Sequence, residues 1–249
     1  MTKRKVVFCV PSLHGPMEPF KDALERSIGP VIEAGWDEGL VEERGCPYIS
    51  NARATMLRKA MDAKADCVVF LDYDLSWDEG DLLKLIETPG EVVSGAYRFK
   101  IDEEEYMGKL FEDEQGKPIT REDGCVKAQW IPAGFLKVTT GAIHKFMGAY
   151  PELVYGPRYS PSVDLFNHGA FEGLWWGEDY AFSRRWNAIG GDIWVVPDLN
   201  LNHHTKDAVF AGNYHQYLLR QPGGSEAKEP DSAKIGEPWS SKVFGRVDA

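Results

Sequence analysis

"VVFLDYDLSW" (residues 68–77) sets two carboxylates one residue apart at the close of an apolar run. Side chains alternate faces along a strand, so a strand carried through this stretch turns Asp72 and Asp74 to one face and Tyr73 to the other. Their Cα atoms then stand roughly 6.5–7 Å apart. That spacing is too wide for one shared proton and suits a cation or a polar ligand gripped between them. A helix N-cap or a solvated turn also collects aspartates, so the flanking chain has to decide.

Upstream, "KVVFCV" (5–10) reads as a buried strand stopped by Pro11. Residues 17–34 carry a helical pattern in Phe20, Leu24 and Ile28, interrupted at Gly29 and Pro30. "EGLVEE" (38–43) is a short strand. "SNARATMLRKAMDAKA" (50–65) opens on Ser50 or Asn51 as N-cap, with Ala54, Leu57, Met61 and Ala65 forming one apolar face. Downstream, "SWDE" (76–79) is a capping box for the helix "GDLLKLIE" (80–87), and "EVVSGAY" (91–97) is another strand. Strands alternating with helices predict an α/β fold on a parallel sheet, with ligands at the carboxyl ends of the strands. Asp72 and Asp74 sit at such an end.

Beyond residue 100 the alternation is less regular. "KLFEDEQGKPIT" (109–120) is a hairpin with its turn near "EQGK", and "CVKAQWI" (125–131) and "FLKVT" (135–139) are further strands. "GEDYAFSRRWNAIGG" (177–191) is a helix ending at Gly190, and "DIWVVPDLNLNHH" (192–204) is a strand with a proline break. Residues 1–218 are read as one domain, divided by the change of character near residue 100 into halves 1–100 and 101–218. The Gly-, Pro- and Ser-rich residues 219–249 are a polar tail.

A net charge of −11 argues against a broad grip on nucleic acid but leaves room for a local groove. No apolar run approaches the ~18 residues of a membrane span, and the first residues lack the h-region of a signal peptide. Four scattered cysteines with no CxxC pair fit a reducing cytoplasm, without a zinc cluster or disulfide framework.

Three polar clusters end or begin apolar elements: "DYD", "GEDY" (177–180) and "NHH" (202–204). Asp72, Asp74 and one histidine are a ligand set for Mn2+ or Mg2+, the imidazole favouring manganese. So few protein ligands leave positions open for phosphate oxygens. Glu178 and Asp179 open a helix, where the macrodipole favours the ionised carboxylate that a general base needs.

In this order, "SNAR", "VVFLDYD", "GAYRFK", "TTGAIHKF", "GEDYAFSRRW" and "LNLNHH" resemble the GT-A glycosyltransferases, most closely the small, often phage-encoded members. The resemblance spans roughly residues 5 to 210. It implies a Rossmann-like mixed sheet flanked by helices, a single catalytic domain over residues 1–218 with a nucleotide-binding half (1–100) and an acceptor half (101–218), and transfer of a sugar from a nucleotide-diphosphate donor to a hydroxyl acceptor. Residue by residue, it implies that Pro11 and Ser12 line the base pocket and that Asn51 and Arg53 contact the nucleotide. Asp72 would reach the ribose or a metal-bound water, and Asp74 the metal itself. Thr140 and Gly141 would border sugar and acceptor. Asp179 would be the base, with Glu178 beside it, and His203 the terminal metal ligand with His204 its rival. The sequence departs from the pattern at Tyr73, between the two aspartates, and at Thr205, where a glycine commonly follows the histidine. Arg98 and Lys100 are basic groups near the cleft, and Trp175 and Trp176 read first as core and second as a stacking surface.

Acceptors open to such an enzyme are a hydroxymethylated base of phage DNA, a polysaccharide or a protein. A sugar-nucleotide pyrophosphorylase is disfavoured, since "CVPSLHGPMEPFK" (9–21) lacks a Gly-rich phosphate loop. A sugar-nucleotide-binding protein without catalysis is the non-enzymatic alternative.

Overall fold

A computed structural model describes residues 3–221. Its first half alternates as the hydrophobic pattern requires: β1 (Arg4–Ser12), α1 (Glu18–Glu33), β2 (Trp36–Arg44), α2 (Ile49–Asp62), β3 (Cys67–Leu71), the short β4 (Leu75–Trp77), α3 (Asp81–Glu87) and β5 (Val92–Gly95). The second half adds β6 (Lys109–Leu110), β7 (Val126–Trp130), β8 (Phe135–Thr139), α4 (Thr140–Ala149), β9 (Val154–Tyr155) and β10 (Ser162–Val163). A hairpin of β11 (Gly169–Phe171) and β12 (Leu174–Trp176) then leads into α5 (Glu178–Ala188), followed by β13 (Ile193–Val196), β14 (Asn200–His204), β15 (Val209–Asn213) and α6 (Tyr214–Arg220).

Eight strands form one sheet in the order β2-β1-β3-β8-β5-β13-β7-β6. β2, β1 and β3 are parallel, as are β5 and β13, but β8 enters antiparallel between β3 and β5. The sheet is therefore mixed, the architecture that the family resemblance implies. Alternation along its strands builds two cores. Val7, Cys9, Val68, Phe70 and Leu136 pack under α2, α4 and α5, while Val6, Phe8, Val69, Leu71 and Phe135 pack under α1, α3 and β4. A second sheet, β15-β14-β4, is joined to the first through the turn after β3.

Several expectations change. β1 does not stop at Pro11: parallel pairing with β2 runs on to Ser12, opposite Arg44. α1 passes through Gly29 and Pro30 unbroken, because Phe20, Ala23, Ser27 and Val31 keep one buried stripe in helical register across them. α2 begins at Ile49 after Tyr48, and no side chain caps it. The capping box at 76–79 does not form. Ser76 lies within β4, and α3 starts at Asp81 behind Gly80, whose φ of 91° a side chain would resist. The strand expected over 192–204 is two strands in different sheets. The tail boundary at 218 falls inside α6, and the tail beyond residue 221 lies outside the described residues. Among the described residues no helix is long and apolar enough to cross a membrane.

Candidate active site

The strand through "DYD" ends sooner than its apolar run suggests. β3 stops at Leu71, and Leu75 N bonds Asp72 O at 3.1 Å, closing a turn over 72–75. Asp72 and Asp74 are therefore not neighbours on one strand face, and each has its own partners.

Asp72 faces α2. Arg53, in the first two turns of that helix and only 2 % exposed, donates from Nη2 to Asp72 Oδ1 at 3.1 Å and from Nη1 to Glu178 Oε1 at 3.0 Å. One guanidinium thus joins the end of β3 to the start of α5, and the Phe166 ring lies 5.0 Å from its Cζ. Burial works against the Arg53 charge, but Asp72, Glu178 and Asp179 outweigh it and hold the group firmly protonated. Each terminal nitrogen of Arg53 thus serves a protein carboxylate, which holds the guanidinium inside the protein between α2, β3 and α5. Tyr97, just past β5, completes the cluster. Its hydroxyl donates to Asp72 Oδ2 at 3.4 Å and accepts from Gly134 N at 3.1 Å, while Asp72 N donates to Gly134 O at 2.8 Å. Burial and the Asp72 charge push the Tyr97 hydroxyl far above its ordinary range, so it remains a neutral donor.

Gly134 has no room for a side chain, because an added Cβ would collide with the Asp72 carboxylate and the Tyr97 hydroxyl. Gly134→Ala is expected to cost about 1–3 kcal/mol by overpacking. This should appear as a fall in Tm of roughly 3–10 °C; an unchanged Tm would show that the Asp72 pocket yields freely.

Asp74 faces β14. Its Oδ2 lies 2.5 Å from Lys100 Nζ and 3.7 Å from His203 Nε2, while His204 N donates to Asp74 O at 2.8 Å and ties the strand to the turn. Burial would raise the Asp74 carboxyl, but hydrogen bonds from His203 and Lys100 hold it below its usual value, so it stays ionised. His203 Nδ1 is 2.8 Å from Arg98 O, a group that can only accept. That puts a proton on Nδ1 and turns Nε2, the ring nitrogen a metal would take, towards Asp74. His204 turns the other way, against Ser76 Oγ at 2.8 Å, and burial lowers its pKa. Strand alternation thus separates the two histidines and puts only His203 beside Asp74. Asp72 stays with Arg53, and among the described residues no three His, Cys, Asp or Glu side chains come together as a metal cluster. The donor set nevertheless fits a hard divalent ion. Asp74 and His203 offer an ionised oxygen and an imidazole nitrogen side by side, and such ions often take one or two protein ligands and complete their shell with water and phosphate.

Asp179 opens α5, yet the helix dipole does not keep its carboxyl low. Burial, then the adjacent Glu178, push it up to about 7 against the pull of Arg53 and of its own hydrogen bond from Tyr180 N at 2.8 Å. The N-terminal dipole is worth about 1 kcal/mol or less at ordinary exposure, and desolvation with a like charge alongside exceeds it.

The other expected residues scatter. Pro11 and Ser12 end β1, level with Asp72 when the β1–β3 register is extended, and Ser12 Oγ bonds Glu42 at 3.4 Å. Asn51 is exposed on the side of α2 away from Arg53, where with Glu152, Tyr155, Asp164 and Asn167 it lines a cavity of about 360 Å³. Thr140 and Gly141 lie at the wrong end of the sheet. Because β8 is antiparallel to β3, Thr139 pairs with Cys67 and Phe135 with Leu71, so Thr140 is level with Asp66, roughly 20 Å along the strand from Asp72. Gly134, at the opposite end of β8, is the glycine that lies against Asp72. Trp175 is not core but exposed on β12, beside His168, whereas Trp176 packs against Trp130 and Arg184. Tyr97 and Gly134 were given no role by the motifs, although a glycine just ahead of an apolar strand is a sign of close backbone approach.

No protein-family model and no curated protein sequence matches the chain. Solved structures resemble it at low identity. The catalytic domain of Drosophila β1,4-galactosyltransferase 7 in complex with xylobiose aligns with a TM-score of 0.45 and 12% identity, over 94% of this chain and 79% of that one. GalNAc-T7 with UDP, GalNAc and Mn2+ gives 0.41 and 12%, over 81% and 44%. The TarS fragment 1–349 of S. aureus gives 0.43 and 13%, over 78% and 58%.

Proposed function

We propose that this chain is a cation-dependent glycosyltransferase that moves a sugar from a nucleotide-diphosphate donor to a hydroxyl acceptor. One observation carries the reading. Tyr97, just past β5, sets its ring against His203, the partner of Asp74, and its hydroxyl against Asp72, where the charges of both Asp74 and Asp179 act on it; Asp179 is itself pushed up to about 7, and Arg53 cross-links Asp72 to Glu178 beside it. A binding protein has no need of a base tuned to about 7.

In the reaction the acceptor oxygen forms a bond to the anomeric carbon as the bond from that carbon to the diphosphate oxygen breaks. Asp179 takes the acceptor's proton, and the nucleoside diphosphate leaves with the bonding electrons. Such a single displacement inverts the anomeric centre. Asp74 and His203 would hold a divalent ion, which when bound neutralises charge on the diphosphate leaving group. Arg53 binds Glu178 and Asp72 in fixed positions, and so sets where α5 presents Asp179. Pro11 and Ser12, at the end of β1, are the part of the expected nucleotide pocket that stands beside this cluster.

The test is a screen of nucleotide sugars for donor hydrolysis with Mn2+, alongside calorimetry of the corresponding nucleoside diphosphate. Hydrolysis and binding should vanish with chelator and return with manganese, less fully with magnesium. Asp74→Asn should abolish metal-dependent nucleotide binding. Full turnover by a metal-free preparation in chelator would overturn the cation-dependent reading.

A further inference from the structure

Lys100 stands where a cation would be needed. Its ammonium contacts Asp74 Oδ2 at 2.5 Å, the same oxygen that lies 3.7 Å from His203 Nε2. The Asp74 side chain is 11 % exposed and that of Lys100 34 %, so the lysine reaches inward from the rim to a nearly covered carboxylate.

The backbone that carries Lys100 is fixed without it. Arg98 donates to the carbonyls of Ile101, Asp102 and Glu103 in its own loop and to that of Ala211 on β15. Phe99 N bonds Glu105 O at 2.9 Å, and Arg98 pairs with Tyr106. The Arg98 carbonyl receives the His203 ring at 2.8 Å. Only the flexible four-carbon stem of Lys100 depends on the contact with Asp74. The ammonium can therefore leave while the loop, and with it the orientation of His203, stays in place.

Two cations cannot both sit in contact with one carboxylate oxygen without strong repulsion. We propose that Lys100 is a built-in counter-ion of the cation site: it neutralises Asp74 beside His203 in the free protein, and a divalent metal must displace it to bind. This rests on the proposed role of Asp74 and His203 as the cation pair. The device makes the site a poor binder of free metal and favours metal that arrives with its own negative ligands, such as a diphosphate.

The experiment is Mn2+ binding to the donor-free protein, followed by calorimetry and by the electron paramagnetic resonance of free Mn2+. Lys100→Met should bind Mn2+ about tenfold more tightly than wild type or better, Lys100→Arg should bind as weakly as wild type, and Lys100→Met combined with Asp74→Asn should lose the gain. Matching thermal unfolding of the variants and wild type checks that the fold is intact, which the partial exposure of Lys100 favours. Equal or weaker Mn2+ binding by Lys100→Met, with binding still lost in Asp74→Asn, overturns the counter-ion role and leaves the cation pair standing. No Mn2+ binding in any form, with or without donor, overturns both.

Discussion

Replacing Asp179 with Asn is expected to lower turnover by about 10²–10⁴-fold, the usual consequence of losing a general base. The substitution keeps size and hydrogen-bonding shape, so the Arg53 cluster and the Asp74–His203 pair should persist and nucleoside-diphosphate affinity stay near wild type. The pH profile makes the assignment sharper. A base works only when deprotonated, and burial with Glu178 alongside puts this carboxyl at about 7. Wild-type turnover should therefore fall as pH drops through 7 and level off above it, and Asp179→Asn should lose that limb. Glu178→Gln removes the like charge next to Asp179, so its limb should move to lower pH while turnover falls less than in Asp179→Asn. Turnover near wild type in Asp179→Asn, or nucleotide affinity that collapses with it, would show that Asp179 is not the base.

The physical origin of that pKa explains what the sequence could and could not disclose. "GED" at a helix start signals a carboxylate at a positive dipole, and from the sequence the dipole is the only visible influence. The stronger influence is desolvation, which depends on what the fold packs around the carboxylate and has no local sequence signature. Similar reasoning applies to Asp72 and Asp74. The apolar run before them fixes β3 correctly, and the order of motifs locates both aspartates, Glu178, Asp179 and His203 at one end of the molecule. Strand alternation was carried one turn too far, however, because nothing in "DYDLSW" distinguishes a continuing strand from a tight turn into β4. Direction was hidden as well: "FLKVT" reads as a strand whichever way it runs, and its antiparallel entry moves Thr140 and Gly141 to the far edge while bringing Gly134 to the aspartates. His203 and His204 stay rivals in the sequence, because a strand end can twist; in the structure period-two alternation separates them, since β14 is regularly paired with β15 and β4.

Arg53 shows the same limit most clearly, and its replacement should have the largest effect on the fold itself. From "SNAR" alone an arginine in the first turns of a helix beside the aspartates looks like a ligand for the nucleotide. In the structure it is buried, 2 % exposed, with Asp72 at 3.1 Å and Glu178 at 3.0 Å. Removing one member of a buried ionic cluster leaves the other charges uncompensated, at a cost of 3–5 kcal/mol in comparable cases. Because the Asp72 and Glu178 side chains keep 25 % and 28 % of their exposure, Arg53→Met should lie at the lower end, about 3 kcal/mol. For a chain of this size that is a fall in Tm of roughly 6–12 °C. The loss should depend on pH with a definite sign. Without Arg53 the Asp72 carboxyl, already raised by burial, loses the charge that lowers it and is harder to ionise in the folded protein than in the unfolded chain, so the folded variant binds more protons between the two pKa values. Its deficit against wild type should therefore be full at neutral pH and shrink as pH falls towards 4. Adding Asp72→Asn and Glu178→Gln to Arg53→Met removes the stranded charges and should recover part of the lost Tm. A nucleotide-binding arginine predicts the reverse pattern: Tm unchanged, affinity for the nucleoside diphosphate reduced, and no recovery from the paired substitutions. Thermal unfolding of the three proteins across pH 4–8, with calorimetry of the nucleotide at the upper end, decides between a cross-link that holds α5 to β3 and a residue that greets the ligand.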